Sequence, residues 1–96
     1  MKIHVTKKAA QWYKEEFQLD KSAYVRFFTR YGDGGHLPGF SLGISKEFPQ
    51  QIHISTTVED ITFYIEEKDA WYFQDKNVTV QLNEKEQEPE FIYTSD

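Results

Sequence analysis

From Arg30 to Ile44 the chain reads RYGDGGHLPGFSLGI, and within it Gly32-Asp33-Gly34-Gly35-His36 sets a carboxylate and an imidazole among glycines. A turn of this kind can aim several backbone N–H groups at one point, so with Asp33 and His36 it holds the parts of a small anion or metal site. One His and one Asp fall short of the roughly three protein ligands of a catalytic zinc site. The other reading of the same residues is a tight connection in which Gly32, Gly34, Gly35 and Gly39 supply positive φ, with His36 an exposed loop residue whose replacement costs little. Nucleotide loops do not match: no Gly-Lys-Ser/Thr occurs, and Leu37 stands where the third glycine of G-x-G-x-x-G belongs.

Other chemistry-bearing patterns are weaker. Gly39-Phe40-Ser41-Leu42-Gly43 spells the G-x-S-x-G nucleophile elbow, yet Ser41 falls inside an alternating strand rather than a strand-turn-helix. The order serine, acid, histidine is met only by Ser41, Glu47 and His53, too compressed for a hydrolase sheet. His4, His36 and His53 show no H-x-H or H-x-x-x-H spacing, and Glu15-Glu16 and Glu66-Glu67 are neighbours whose side chains diverge. No cysteine occurs, which removes disulfides, thiolate-bound zinc, sulfur-ligated clusters and cysteine nucleophiles together. An enzyme is not expected, and no cofactor is implied.

The elements that must position the loop follow from periodicity. Ile3 and Val5 read as a strand, Thr6 as a helix N-cap, and residues 7–19 as a helix with Ala9, Ala10, Tyr13 and Phe17 on one face. Residues 23–30 read as a strand that sets Val25, Phe27 and Thr29 against Tyr24, Arg26 and Phe28, and Phe40, Leu42 and Ile44 form its hairpin-like partner beyond the loop. Residues 52–58 are a weaker extended segment, and 61–65 (ITFYI) a buried strand. Residues 66–75 favour a short helix, Val78, Val80 and Leu82 alternate as a strand, and Phe91-Ile92-Tyr93 can add a last one. The acidic stretch 84–90, punctuated by Pro89, is expected to be mobile.

The 96 residues suit one domain, and eight Phe, six Tyr and two Trp supply its core. A formal net charge of −5, with Glu84, Glu86, Glu88 and Glu90 close together, argues against nucleic acid. No apolar run suits a signal peptide, and nowhere do about 18 consecutive apolar residues occur, so a cytoplasmic protein without membrane contact is expected.

This order of elements resembles the HesB-like fold of the A-type iron-sulfur carriers. Tyr24-Val25-Arg26-Phe27 leading into Gly34-Gly35 is similar to the strand that enters that family's Gly-Gly-Cys turn, Gly39-Phe40-Ser41-Leu42-Gly43 to its Gly-aromatic-x-x-Gly continuation, and Ile61–Ile65 with Glu67–Phe73 to its strand and short helix. His36 stands where the loop cysteine would be, an extra residue lies around Leu37-Pro38, and Glu88–Tyr93 has no counterpart of the C-terminal Cys-Gly-Cys. The resemblance implies a compact, mostly-β α+β domain over 1–96 with two short helices. It also implies a non-enzymatic binding or adaptor protein descended from an iron-sulfur carrier but without cluster ligands. Two alternatives stay open: a weak iron binder using His36, Asp33 and other carboxylates in iron-sulfur assembly or iron homeostasis, and a small enzyme with the Gly-rich loop as anion pocket.

Trp71-Tyr72-Phe73 cannot all face one core from a helix, so Trp71 and Tyr72 are candidate anchors for a protein partner or a second copy. The same rings can instead fill a small core from two sides.

Overall fold

Thr6 starts the first helix as its side chain allows: in the computed structural model, which describes residues 1–95, its hydroxyl accepts the Ala9 N–H at 3.2 Å. Strand β1 (Ile3–Val5) precedes helix α1 (Lys7–Glu16). The helix stops short of residue 19 because Gln18 turns left-handed, with φ 50°. The Gln18 N–H then reaches the Glu15 carbonyl and the Leu19 N–H that of Lys14, a two-bond closure that satisfies the last carbonyls and drops Leu19 into the core.

The chain continues through β2 (Tyr24–Tyr31), β3 (Phe40–Lys46), β4 (Ile52–Val58), β5 (Ile61–Glu66), a 3-10 helix (Glu67–Phe73), β6 (Asn77–Asn83) and β7 (Glu88–Thr94). One sheet has the order β3-β2-β5-β4 and the other β1-β6-β7; β2 with β5 and β1 with β6 are parallel, and the remaining pairs antiparallel. The class is α+β, mostly β, with two short helices.

Alternation decides which faces meet. Val25 and Phe27 point inward from β2, as their spacing predicts, and register sets Val25 beside Phe63 and Phe27 beside Ile44. In the other sheet Val78 and Val80 lie between Ile3 and Val5 on one side and Tyr93 and Phe91 on the other. The sheets are joined by rings: Phe27 lies 5.8 Å from Phe63 and 5.4 Å from Phe91, and Tyr13 of α1 is 6.0 Å from Phe27 and 5.6 Å from Phe63. Such ring pairs add to the burial of their area.

Two further elements differ from their sequence expectations, the second helix and β7. The second helix is a 3-10 helix, whose three residues per turn put Asp69 and Tyr72 on one buried face and turn Trp71 outward. The turn between β6 and β7 is closed by Asn83, whose side-chain oxygen accepts the N–H groups of Lys85 and Glu86, and by the Gln87 N–H bonded to the Asn83 carbonyl. Pro89 is accommodated in β7, an edge strand, so β7 is longer than the three residues expected. Between β4 and β5, Glu59 and Asp60 both take positive φ, a two-residue turn made without the Gly or Asn that would advertise it. Among the described residues no helix is long and apolar enough to cross a membrane.

Candidate functional site

The Gly-rich loop is fastened to the 3-10 helix. The His36 N–H donates to the Tyr72 hydroxyl at 2.9 Å, and His36 Nε2 lies 2.6 Å from the Tyr72 carbonyl oxygen, which can only accept, so Nε2 carries the proton. The imidazole stacks on Tyr93 at 4.4 Å and meets the Tyr72 ring edge-on at 4.8 Å. Burial, with a hydrogen bond to Tyr72, holds the Tyr93 hydroxyl well above the usual tyrosine range. His36 is therefore a clamp, half-buried and bonded twice, which corrects the expectation of an idle exposed residue.

Gly32, Gly34 and Gly39 do take positive φ, but Gly35 is small for a different reason: a Cβ there would stand 1.9 Å from the Tyr72 hydroxyl oxygen and 2.7 Å from the Phe40 carbonyl oxygen. Asp33 accepts the Gly39 N–H at 2.7 Å and so closes the loop upon itself. His36 and Asp33 thus each have a protein partner, and among the described residues no group of three or more His, Asp or Glu could hold a metal ion. A cavity of about 340 Å3 lies beside Gly34 and Gly35, walled by Ser41, Leu42, Glu90 and Tyr93. Among the described residues that line it the charged group is the Glu90 carboxylate, bonded to Gln81 and Asn83, with no cation, so the cavity disfavours an anion.

Tying the loop down leaves a row of rings at the surface. Tyr31, the last residue of β2, pairs across the hairpin with Phe40, the first of β3; their rings are 5.5 Å apart, and Trp71 meets Phe40 at 5.1 Å. Tyr31 is 87% exposed and Trp71 52%. Tyr72, named from the sequence as a contact beside Trp71, is fully buried with its hydroxyl under the loop and cannot touch a partner. Tyr31 and Phe40 escaped the sequence reading, although their positions at the two mouths of the loop signalled a facing pair.

Under this row lies an ion pair. Arg26 donates to Asp69 at 2.8 Å and to Glu47 at 3.0 Å, and its guanidinium carbon sits 5.6 Å from the centre of the Phe28 ring. The other Asp69 oxygen accepts the Thr29 N–H at 3.2 Å. Glu47 is held below the usual carboxylate range by the Ser45 hydroxyl and then by Arg26. Among the described residues this arrangement brings no nucleophile, base and orienting group together; it ties the 3-10 helix to β2.

Compared with known proteins, the chain is 42% identical over 94 residues, 97% of its length and 99% of the relative's, to a Bacillus subtilis protein named pyruvate dehydrogenase inhibitor. It is 39% identical over 92 residues to an uncharacterized protein of Staphylococcus epidermidis and 35% identical over 92 residues to one of Staphylococcus aureus, each match covering 92% of this chain and 94% of the relative. No family model and no solved structure matches it. These likenesses correct the function expected from the HesB-like resemblance. The relative that matches nearly end to end is named for inhibiting pyruvate dehydrogenase, not for iron-sulfur biogenesis, so the carrier-derived adaptor, the iron binder and the anion-pocket enzyme are all set aside.

Proposed function

The chain belongs to the family of the Bacillus subtilis protein named pyruvate dehydrogenase inhibitor, and from that membership we propose that it is a non-enzymatic regulator that binds a pyruvate dehydrogenase and lowers its activity. The observation that carries this reading is the 42% identity over 97% of the chain and 99% of the relative, a likeness that spans the whole domain rather than one motif. The geometry is in keeping with it. An inhibitor needs no reacting groups; it needs a stiff face with side chains that gain by leaving water. Trp71 is such a side chain, and the His36 clamp keeps the adjoining loop ordered before binding, so that association need not order it.

The test is direct. Purified chain titrated into purified pyruvate dehydrogenase from the same cell should lower its activity to a plateau and co-elute with it. Unchanged activity at a large excess, with separate elution, would end the reading.

A further inference from the structure

Resting on that regulatory reading, we propose that the end of β2 and the face of the 3-10 helix beside it dock an extended, acidic segment of the partner enzyme, which adds a short strand to β2. Successive residues of a strand direct their backbone groups to opposite neighbours. In β2 the odd-numbered residues serve the β5 side: the Ala23 carbonyl accepts the Thr62 N–H there, whereas the Gly32 N–H serves the β3 side through the Gly39 carbonyl. Pairing with β5 ends at Arg26 with Tyr64. Beyond that point the Asp69 carboxylate takes the place of β5 at the Thr29 N–H.

At Tyr31 no described group takes that place. Thr29 and Tyr31 line an open cavity of about 160 Å3 between β2 and the 3-10 helix, and among the described residues no hydrogen-bond partner meets the Thr29 carbonyl or the Tyr31 N–H and carbonyl on this side. Unpaired backbone of this kind is the template on which extended peptides bind. The cavity is walled by Tyr31, Phe40 and Trp71, which can cover an apolar side chain of the incoming strand.

Charge selects the kind of segment. Arg30 lines the cavity, is exposed, and has no ion-pair partner among the described residues, while the charge of Asp69 is already met by Arg26. The net charge of −5 opposes an acidic partner at long range, so the preference is local: Arg30 sets an unpaired cation at the cavity, where it favours a carboxylate-bearing strand over a basic one. Tyrosine, tryptophan and arginine are also the types that most often anchor interfaces.

The experiment uses the full chain and purified pyruvate dehydrogenase, with affinity measured at low and high salt and amide hydrogen exchange followed in the free and bound chain. Tyr31→Ser, Trp71→Ser and Arg30→Glu should each weaken binding about tenfold or more, Arg30→Glu should flatten the salt dependence, and Arg30→Lys should keep part of it. Phe48→Ser, at an exposed ring away from this face, should change nothing. The Tyr31 amide should exchange more slowly in the complex. Wild-type binding that survives all three substitutions, with Tyr31 exchange unchanged, would overturn the docking site and leave the regulatory reading standing. Absence of wild-type binding would end both. If Tyr31→Ser or Trp71→Ser converts a dimer of the isolated chain to monomer in sedimentation, the face belongs to a second copy and the proposal fails.

Discussion

His36 and Gly35 show how much a loop residue can carry without doing chemistry. Replacing His36 by Ala removes the Nε2–H bond to the Tyr72 carbonyl and the stack on Tyr93, and we expect a loss of about 1–2 kcal/mol. Equal urea midpoints for wild type and His36→Ala would mean the clamp holds nothing. Gly35→Ala should cost about 2 kcal/mol or more, since a methyl group must displace the Tyr72 hydroxyl or the Phe40 carbonyl. Combining it with Tyr72→Phe removes one of those two obstacles, so the double variant should be less destabilised than the sum of the singles. Strict additivity in a double-mutant cycle would show that Tyr72 is not what Gly35 makes room for.

At the scale of elements, Asp69 is the side chain on which the 3-10 helix and β2 depend. Both its oxygens are used, on Arg26 and on the Thr29 N–H, and it is buried. Asp69→Ala should cost about 3 kcal/mol or more because Arg26 is left half-answered in a buried place, whereas Asp69→Asn keeps an acceptor for Thr29 and should cost less. Thermal denaturation of both variants checks the order, and the reverse order would refute the account. The same element marks where sequence reading stops. Strand positions such as Val25, Phe27, Val78 and Val80 were legible because alternation is local. The 3-10 geometry that buries Tyr72 was not, because seven residues of either helix type read alike until the Tyr72 hydroxyl meets Gly35, a contact spanning more than a third of the chain. The loop was legible as a place of interest, but its purpose was not: His36 looks the same in sequence whether it faces a metal or a tyrosine carbonyl. The surface row of Tyr31, Phe40 and Trp71 exists only once the hairpin and the 3-10 helix have folded side by side.

The whole molecule is held by rings that bridge its layers, and this shapes its response to alkali. Phe27 touches α1, its own sheet and the opposite sheet, so Phe27→Ala should cost roughly 3–5 kcal/mol and lower the urea midpoint more than any surface change. Three tyrosines in different layers share a second property. Burial pushes the Tyr64 hydroxyl up to about 12, and raises those of Tyr13 and Tyr93 beyond the usual range. A raised folded value means that the unfolded chain, with tyrosines near an ordinary value of about 10, loses its protons first. The stabilisation is therefore whole below pH ~10 and disappears as pH climbs through the folded values, Tyr64 first. We expect urea midpoints to be level below that point, to fall steeply above it, and tyrosinate absorbance from these rings to appear together with unfolding. Ionisation of all three near pH 10 in a chain that stays folded would contradict this. Tyr13 gives the sharper test, because its buried hydroxyl has no hydrogen-bond partner among the described residues. Tyr13→Phe should leave stability at neutral pH unchanged or slightly higher, since the lost hydroxyl made no bond, and should make the alkaline decline shallower by removing one of the three coupled ionisations. A large loss at neutral pH would reveal a partner for that hydroxyl, and an unaltered alkaline slope would show that Tyr13 does not ionise on unfolding.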